Sequence, residues 1–190
     1  MKAVILAAEE EHRFFASGIN NPKPLVMLGG LSLLERAVRS GARAGLSEFL
    51  IVVGAQGEHI RRTSEPRLND LPITWITDDC WRSGNGASIL AAAPFLGREH
   101  FLVMRADHVI FPQTLRHLLE PCLDLSTTLM AIDRKRGQLF DSENTTKVRL
   151  AGGRITELGK SLDPYDGVDI GAAVCSPNFL DALRLWLHDR

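Results

Sequence analysis

The chain opens on a run that leaves it few choices. Val4-Ile5-Leu6-Ala7-Ala8 is apolar at every position, and a run so short and uniform reads as a strand covered on both faces, as in the middle of a parallel sheet. A polar stretch follows, Glu9-Glu10-Glu11-His12-Arg13, and then Pro22-Lys23-Pro24-Leu25. Open α/β sheets bind ligands beyond the carboxyl ends of their strands, so this loop lies where a ligand would meet the fold. Arg13 and Lys23 bring two cations to that edge. The prolines flanking Lys23 restrict φ and stiffen the segment, which suits a lysine that holds a phosphate at a set distance.

The alternation of strand and helix continues. Ser32 and Glu35 have the spacing of a capping box. Leu33, Leu34, Ala37, Val38 and Ala42 lie along one helical face, and Gly45 ends the pattern. Residues 49–53 are a second apolar strand, and the β-α-β order calls for a parallel sheet. A short helix is expected over 57–63, a strand over 73–77, a turn-rich loop over 78–86 and a helix over 87–95. A strand over 101–104 ends in Arg105-Ala106-Asp107-His108, followed by a helix over 111–119 and a strand over 127–132. The character then changes. Segments 146–150 and 154–158 flank Ala151-Gly152-Gly153, a hairpin signal. Residues 168–174 form a further strand, and Asn178 is expected to cap a closing helix. The reading is one α/β domain over 1–190, with a mostly parallel mixed sheet and a C-terminal antiparallel extension covering the ligand edge.

Composition removes several function classes. With 22 Lys and Arg against 23 Asp and Glu, the net charge is -1, so no bulk field draws the chain to nucleic acid or to an anionic membrane. No apolar run reaches the roughly 20 residues of a membrane span, and the N-terminus does not read as a signal peptide. Cys80, Cys122 and Cys175 are odd in number and widely spaced, which suits a reducing cytoplasm and gives no zinc pattern. The histidines show no metal-ligand spacing. Trp75, Trp81 and Trp186 read as packing residues. Gly159-Lys160-Ser161 is not the end of a Walker loop, because five residues separate Gly153 from Gly159 and the context is a hairpin.

Three groups of residues carry possible chemistry. Asp107 ends a strand, where a carboxylate either holds Mg²⁺ against nucleotide phosphates or caps the next turn. Gly84-Asn85-Gly86-Ala87-Ser88 precedes a helix. Its N–H groups either meet an anion or base edge or simply make a tight turn. Lys147, Lys160 and Asp169 are either solvent-facing strand lysines with a turn aspartate, or parts of an anion pocket.

Together these residues resemble a known family. Leu6-Ala7-Ala8, Arg13 and Pro22-Lys23-Pro24-Leu25 resemble the sugar-phosphate nucleotidyltransferase signature L-A-A-G-x-G-x-R-L followed by P-K-P-L. Here Glu9 and Glu11 stand where that pattern has glycine, and Phe14 where it has leucine. The run Gly84-Asn85-Gly86 through Ser88-Ile89-Leu90-Ala91-Ala92 is similar to the base-recognition loop of cytidylyltransferases acting on inositol phosphate. Thr146-Lys147-Val148-Arg149, Gly159-Lys160 and Val168-Asp169-Ile170-Gly171 resemble their acceptor half, with Ile170 in place of the usual threonine.

The resemblance implies a Rossmann-like three-layer nucleotidyltransferase fold lacking the family's last strand and helix. It implies transfer of a nucleotidyl group, CMP from CTP, to a sugar or inositol phosphate with release of pyrophosphate. Leu6, Ala7, Ala8, Asn85, Gly86 and Ser88 would hold the nucleotide. Arg13 would stabilise the leaving pyrophosphate and Lys23 would bridge the reacting phosphates. Asp107 would bind Mg²⁺, and Lys147, Lys160 and Asp169 would place the sugar phosphate. The family's second metal-binding aspartate belongs to a C-terminal D-x-D segment that these 190 residues do not contain. A relative that keeps the fold without catalysis, and binds a ligand or a protein partner, is the alternative reading. Oligomeric state is not legible.

Overall fold

The opening run becomes the central strand of an eight-stranded sheet. The computed structural model describes residues 1–8, 21–121, 126–134 and 141–188. Strand β1 (Lys2–Ala7) is flanked on both sides by parallel neighbours, β4 (Glu48–Val53) and β6 (Phe101–Arg105). Strand β5 (Ile73–Thr77) lies parallel beyond β4. Beyond β6 the sheet turns antiparallel with β10 (Gly167–Cys175), then β8 (Lys147–Ala151) and β9 (Arg154–Gly159). The order is β5-β4-β1-β6-β10-β8-β9, with β7 (Leu129–Asp133) also paired to β10.

The uniform apolarity of β1 has a simple cause. Ala3, Ile5 and Ala7 face one core, with Leu34, Phe49, Ile51 and Met104. Val4 and Leu6 face the other, with Val52, Val103, Ile89 and Leu180. Successive strand side chains point to opposite faces, so a strand with helices on both sides has no polar face to show. Helices α1 (Leu33–Arg43), α2 (Gly57–Ser64) and α4 (Pro112–Leu119) cover the first face. Helices α3 (Asn85–Ala92) and α5 (Pro177–His188) cover the second. This is the expected three-layer arrangement with its antiparallel extension. Among the described residues no helix is long and apolar enough to cross a membrane.

The capping box forms as the spacing required. Glu35 N donates to Ser32 Oγ at 3.1 Å and Ser32 N donates to Glu35 Oε2 at 2.7 Å. Arg67 Nε then reaches Glu35 Oε1 at 2.6 Å, and Arg67 Nη2 donates to Gly30 O at 2.9 Å. These bonds pin a small hairpin that the sequence reading did not anticipate, β2 (Met27–Leu28) with β3 (Leu31–Ser32), turned by Gly29 and Gly30 at positive φ.

Other boundaries shift for local reasons. The helix expected over 87–95 is α-helical from Asn85 to Ala92 and closes in a 3-10 turn over Ala93–Phe95, where Pro94 cannot continue the ladder. The last helix is capped by Ser176 rather than Asn178. Phe179 N donates to Ser176 Oγ at 3.2 Å, and Pro177 occupies the first helical position, where its missing N–H costs nothing.

Candidate active site at the strand ends

Strands β1 and β6 end side by side. Leu6 lies opposite Arg105 in register, and Ala106 N donates to Leu6 O at 2.9 Å. The chain leaving β6 therefore carries Asp107 and His108 past the carboxyl edge of the sheet, beside the segment that leaves β1. Pro22-Lys23-Pro24-Leu25 returns to the same edge. It is a 3-10 turn, with Leu25 N donating to Pro22 O at 2.8 Å, and Pro24 and Leu25 are buried. A lysine on so stiff a base has a restricted reach, and its ammonium sits 2.7 Å from Asp107 Oδ2.

Asp107 collects three partners. Besides Lys23, Arg105 Nη2 donates to Oδ2 at 3.2 Å, and His108 Nδ1 lies 2.7 Å from Oδ1. The carboxylate is only 10% exposed. Burial pushes its pKa up. The hydrogen bond to His108, the charges of Arg105 and His108, and the hydrogen bond from Lys23 more than offset this and hold it well below the usual carboxylate range. Asp107 is thus a permanently ionised, well-oriented oxygen donor. Among the described residues no three His, Cys, Asp or Glu side chains gather as a metal cluster.

A cavity of about 200 Å³ opens beside this group, between the sheet and helices α3 and α5. Leu6, Asn85, Arg105, Met130, Asp169 and Phe179 are among its walls. Asp169 is held by its own turn, accepting from Gly171 N at 2.8 Å on Oδ1. Gly171 has φ +81°, and a Cβ there would stand 2.8 Å from the His108 ring. Only glycine tolerates that backbone and that approach. The bulge it makes in β10, where the pairing with β7 shifts register, brings Asp169 and the Asp107–His108 corner to one edge.

The expected residues fall into distinct groups. Leu6, Asn85 and Asp169 share the cavity, and Lys23 and Asp107 form an ion pair joined to it through Arg105. Ala7 and Ala8 are buried at the end of β1, with the Ala8 carbonyl 2.7 Å from the place a Cβ on Gly54 would take. Gly86 sits in the first turn of α3 under Leu183 of α5. The Ser88 hydroxyl is donated to Asp78 Oδ2 at 2.7 Å, and Asp78 Oδ1 accepts from Cys80 N. Ser88 therefore braces the 78–86 loop. Lys147 lies opposite Gly159 across the β8–β9 pair with its ammonium over the Tyr165 ring, and Lys160 is exposed in the following turn. Neither lysine lines the cavity. Arg13, Glu9 and Glu11 lie outside the described residues. Arg105 was not singled out from sequence. Its position as the last residue of an apolar strand was the available signal.

Comparison with known proteins points the same way as the geometry. The model of the MobA-like NTP transferase domain matches residues 3–176. A bifunctional IPC transferase and DIPP synthase of Rubrobacter xylanophilus is 40% identical over 183 residues, covering 96% of this chain and 40% of that protein. The protein of the same description in Archaeoglobus fulgidus is 29% identical over 181 residues, covering 95% of this chain and 34% of that one. The chain thus spans less than half the length of these curated relatives. Among solved structures, the inositol-1-phosphate CTP transferase of T. maritima superposes with a TM-score of 0.83 at 20% identity, over 95% of this chain and 72% of that one. A UDP-glucose pyrophosphorylase complexed with UDP-glucose gives 0.78 at 18% identity, over 96% and 78%. Likeness at such identities speaks for the fold.

Proposed function

The chain belongs to the family of MobA-like NTP transferase domains, and from that premise we propose that it moves CMP from CTP to the phosphate of inositol or a sugar, with release of pyrophosphate. One observation carries the reading. Leu6, Asn85, Arg105 and Asp169, from four separate elements, line one cavity, and the Lys23–Asp107 pair stands at its edge.

Such a reaction asks little covalent help of a protein. An oxygen of the acceptor phosphate attacks the α-phosphorus, a new P–O bond forms, and the bond to the β-phosphate breaks. The protein must align two anions that repel each other and neutralise the charge of the transition state. Leu6, Ala7, Ala8, Asn85 and Gly86 hold the nucleotide, on a loop kept in shape by Ser88. Lys23, now on Asp107, passes to the phosphates when they enter, and Arg13 serves the leaving pyrophosphate. Asp169, with Lys147 and Lys160, receives the acceptor.

Asp107 is suited to Mg²⁺. It is a hard oxygen donor that stays ionised, and Mg²⁺ takes one or two carboxylates together with substrate phosphates. When bound, the ion would neutralise phosphate charge. The same oxygen serves Lys23 and Arg105, which would share the carboxylate with the ion or turn toward the substrates.

Calorimetric titration with CTP, ATP and GTP in the presence of Mg²⁺ tests the reading. CTP should bind most tightly, and Lys23→Ala should weaken it by at least tenfold. Equal binding of all three nucleotides would remove CTP as the donor, and no binding of any would remove nucleotidyl transfer.

A further inference from the structure

Strand β9 is the last strand of the sheet, and among the described residues no strand pairs with its outer edge. That edge presents a row of backbone N–H and C=O groups, a template for another strand. Arg154 to Leu158 are all exposed. The hairpin is nonetheless held firmly from behind. Leu150 N donates to Asp166 Oδ2 at 2.8 Å, Asp166 N donates to Val148 O at 2.8 Å, and Arg149 Nη2 donates to Pro164 O at 3.0 Å. An edge on so fixed a base loses little freedom on binding.

A bulge decides what the edge displays. Glu157 lies opposite Arg149 and Ile155 opposite Leu150, which leaves Thr156 as an extra residue. Strict alternation would put Ile155 and Leu158 on opposite faces. The extra residue brings them to one face, that of Val148 and Leu150, and sends Arg154 and Glu157 to the other. Ile155 is 40% exposed and Leu158 52%. An edge guarded against pairing carries charge, often lysine. This one carries two apolar side chains on one face and one charge of each sign on the other.

That pattern is complementary to itself. Two β9 strands laid antiparallel about a two-fold axis normal to the sheet can set Ile155 opposite the partner's Leu158. Arg154 then faces the partner's Gly159 and is the diagonal neighbour of the partner's Glu157, within reach of long side chains. Each contact occurs twice, as an isologous interface requires. We propose that β9 pairs edge to edge with β9 of a second copy, joining two sheets into one across the axis. A single pair of six-residue strands falls below the roughly 1,200 Å² of standard interfaces. The dimer is therefore weak, with a dissociation constant on the order of 10–100 µM.

Sedimentation velocity over roughly 5 to 500 µM brackets that range. The wild type should pass from monomer to dimer. Arg154→Glu and Glu157→Lys each set like charges across the axis and should each weaken self-association roughly tenfold. An equimolar mixture of the two variants sets opposite charges across it and should regain association near the wild-type level. A chain that had merely lost its fold would not recover on mixing. Ile155→Lys, at an exposed position, should also hold the chain monomeric. A wild type that stays monomeric throughout overturns the proposal and leaves the edge to a strand of some other protein. A dimer unmoved by all three substitutions overturns it too, as does a mixture that associates no better than either variant alone.

Discussion

Replacing Asp107 with asparagine removes one charge and keeps the shape. Two cations lose a counter-ion that they share, at 2.7 Å and 3.2 Å. At an effective dielectric near 20, these contacts are worth about 6 and about 5 kcal/mol in Coulomb terms. Most of that is spent on desolvating a carboxylate 10% exposed. The net loss expected is about 3 kcal/mol, at the lower end for breaking a buried pair, because Lys23 and Arg105 keep some access to water. This would be read by urea denaturation. The sign of the pH dependence follows from the depressed pKa. The stabilisation is complete above the unfolded-state value of about 3.9 and is lost as pH falls toward the lower native one. The gap between wild type and Asp107→Asn should therefore stay flat from pH 8 to 5 and close only below about pH 4. A variant as stable as wild type, or a gap that closes between pH 7 and 5, would refute this account of the carboxylate.

Three further outcomes follow from single contacts. Arg67→Ala leaves Glu35, 1% exposed, without its cation and should cost about 2–4 kcal/mol in urea denaturation at pH 7. Burial raises the Glu35 pKa, but its bonds to Ser32 and Arg67 lower it overall, so the difference from wild type should shrink as pH falls below the ordinary carboxylate range. Gly171→Ala forces a side chain onto φ +81° with the His108 ring at 2.8 Å. It should lower stability by about 2–3 kcal/mol in thermal denaturation and raise the acceptor KM by moving Asp169. Burial pushes the Cys175 thiol up to about 12. Iodoacetamide at pH 8 should therefore label exposed Cys80 and spare Cys175, as read by peptide mass mapping.

What the sequence made legible was local or periodic. The capping box needed only Ser32 and Glu35 at their spacing, and it forms. The parallel centre followed from apolar strands alternating with helices, because each covered strand must be apolar on both faces. Lys23 and Asp107 were assigned to one edge because both follow central strands, and they meet at 2.7 Å. Other features depended on partners that periodicity does not encode. Arg105 gains its place from the register that sets it opposite Leu6. The two-residue strands of the β2–β3 hairpin are too short to show alternation, and they owe their position to Arg67, far along the chain. Ser88, assigned to the nucleotide by its resemblance alone, also holds Asp78, a contact that only the fold reveals. Lys147 and Lys160 lie on a hairpin, and the order of residues alone cannot say which way hairpin lysines point.

The most direct test follows the transferred group itself. CTP labelled at the α-phosphate, incubated with inositol 1-phosphate and Mg²⁺, should yield label joined to the inositol phosphate and one unlabelled pyrophosphate for each transfer, with Lys23→Ala slowed at least a hundredfold. Label remaining wholly in CTP, or transfer at the same rate in Lys23→Ala, would contradict the account.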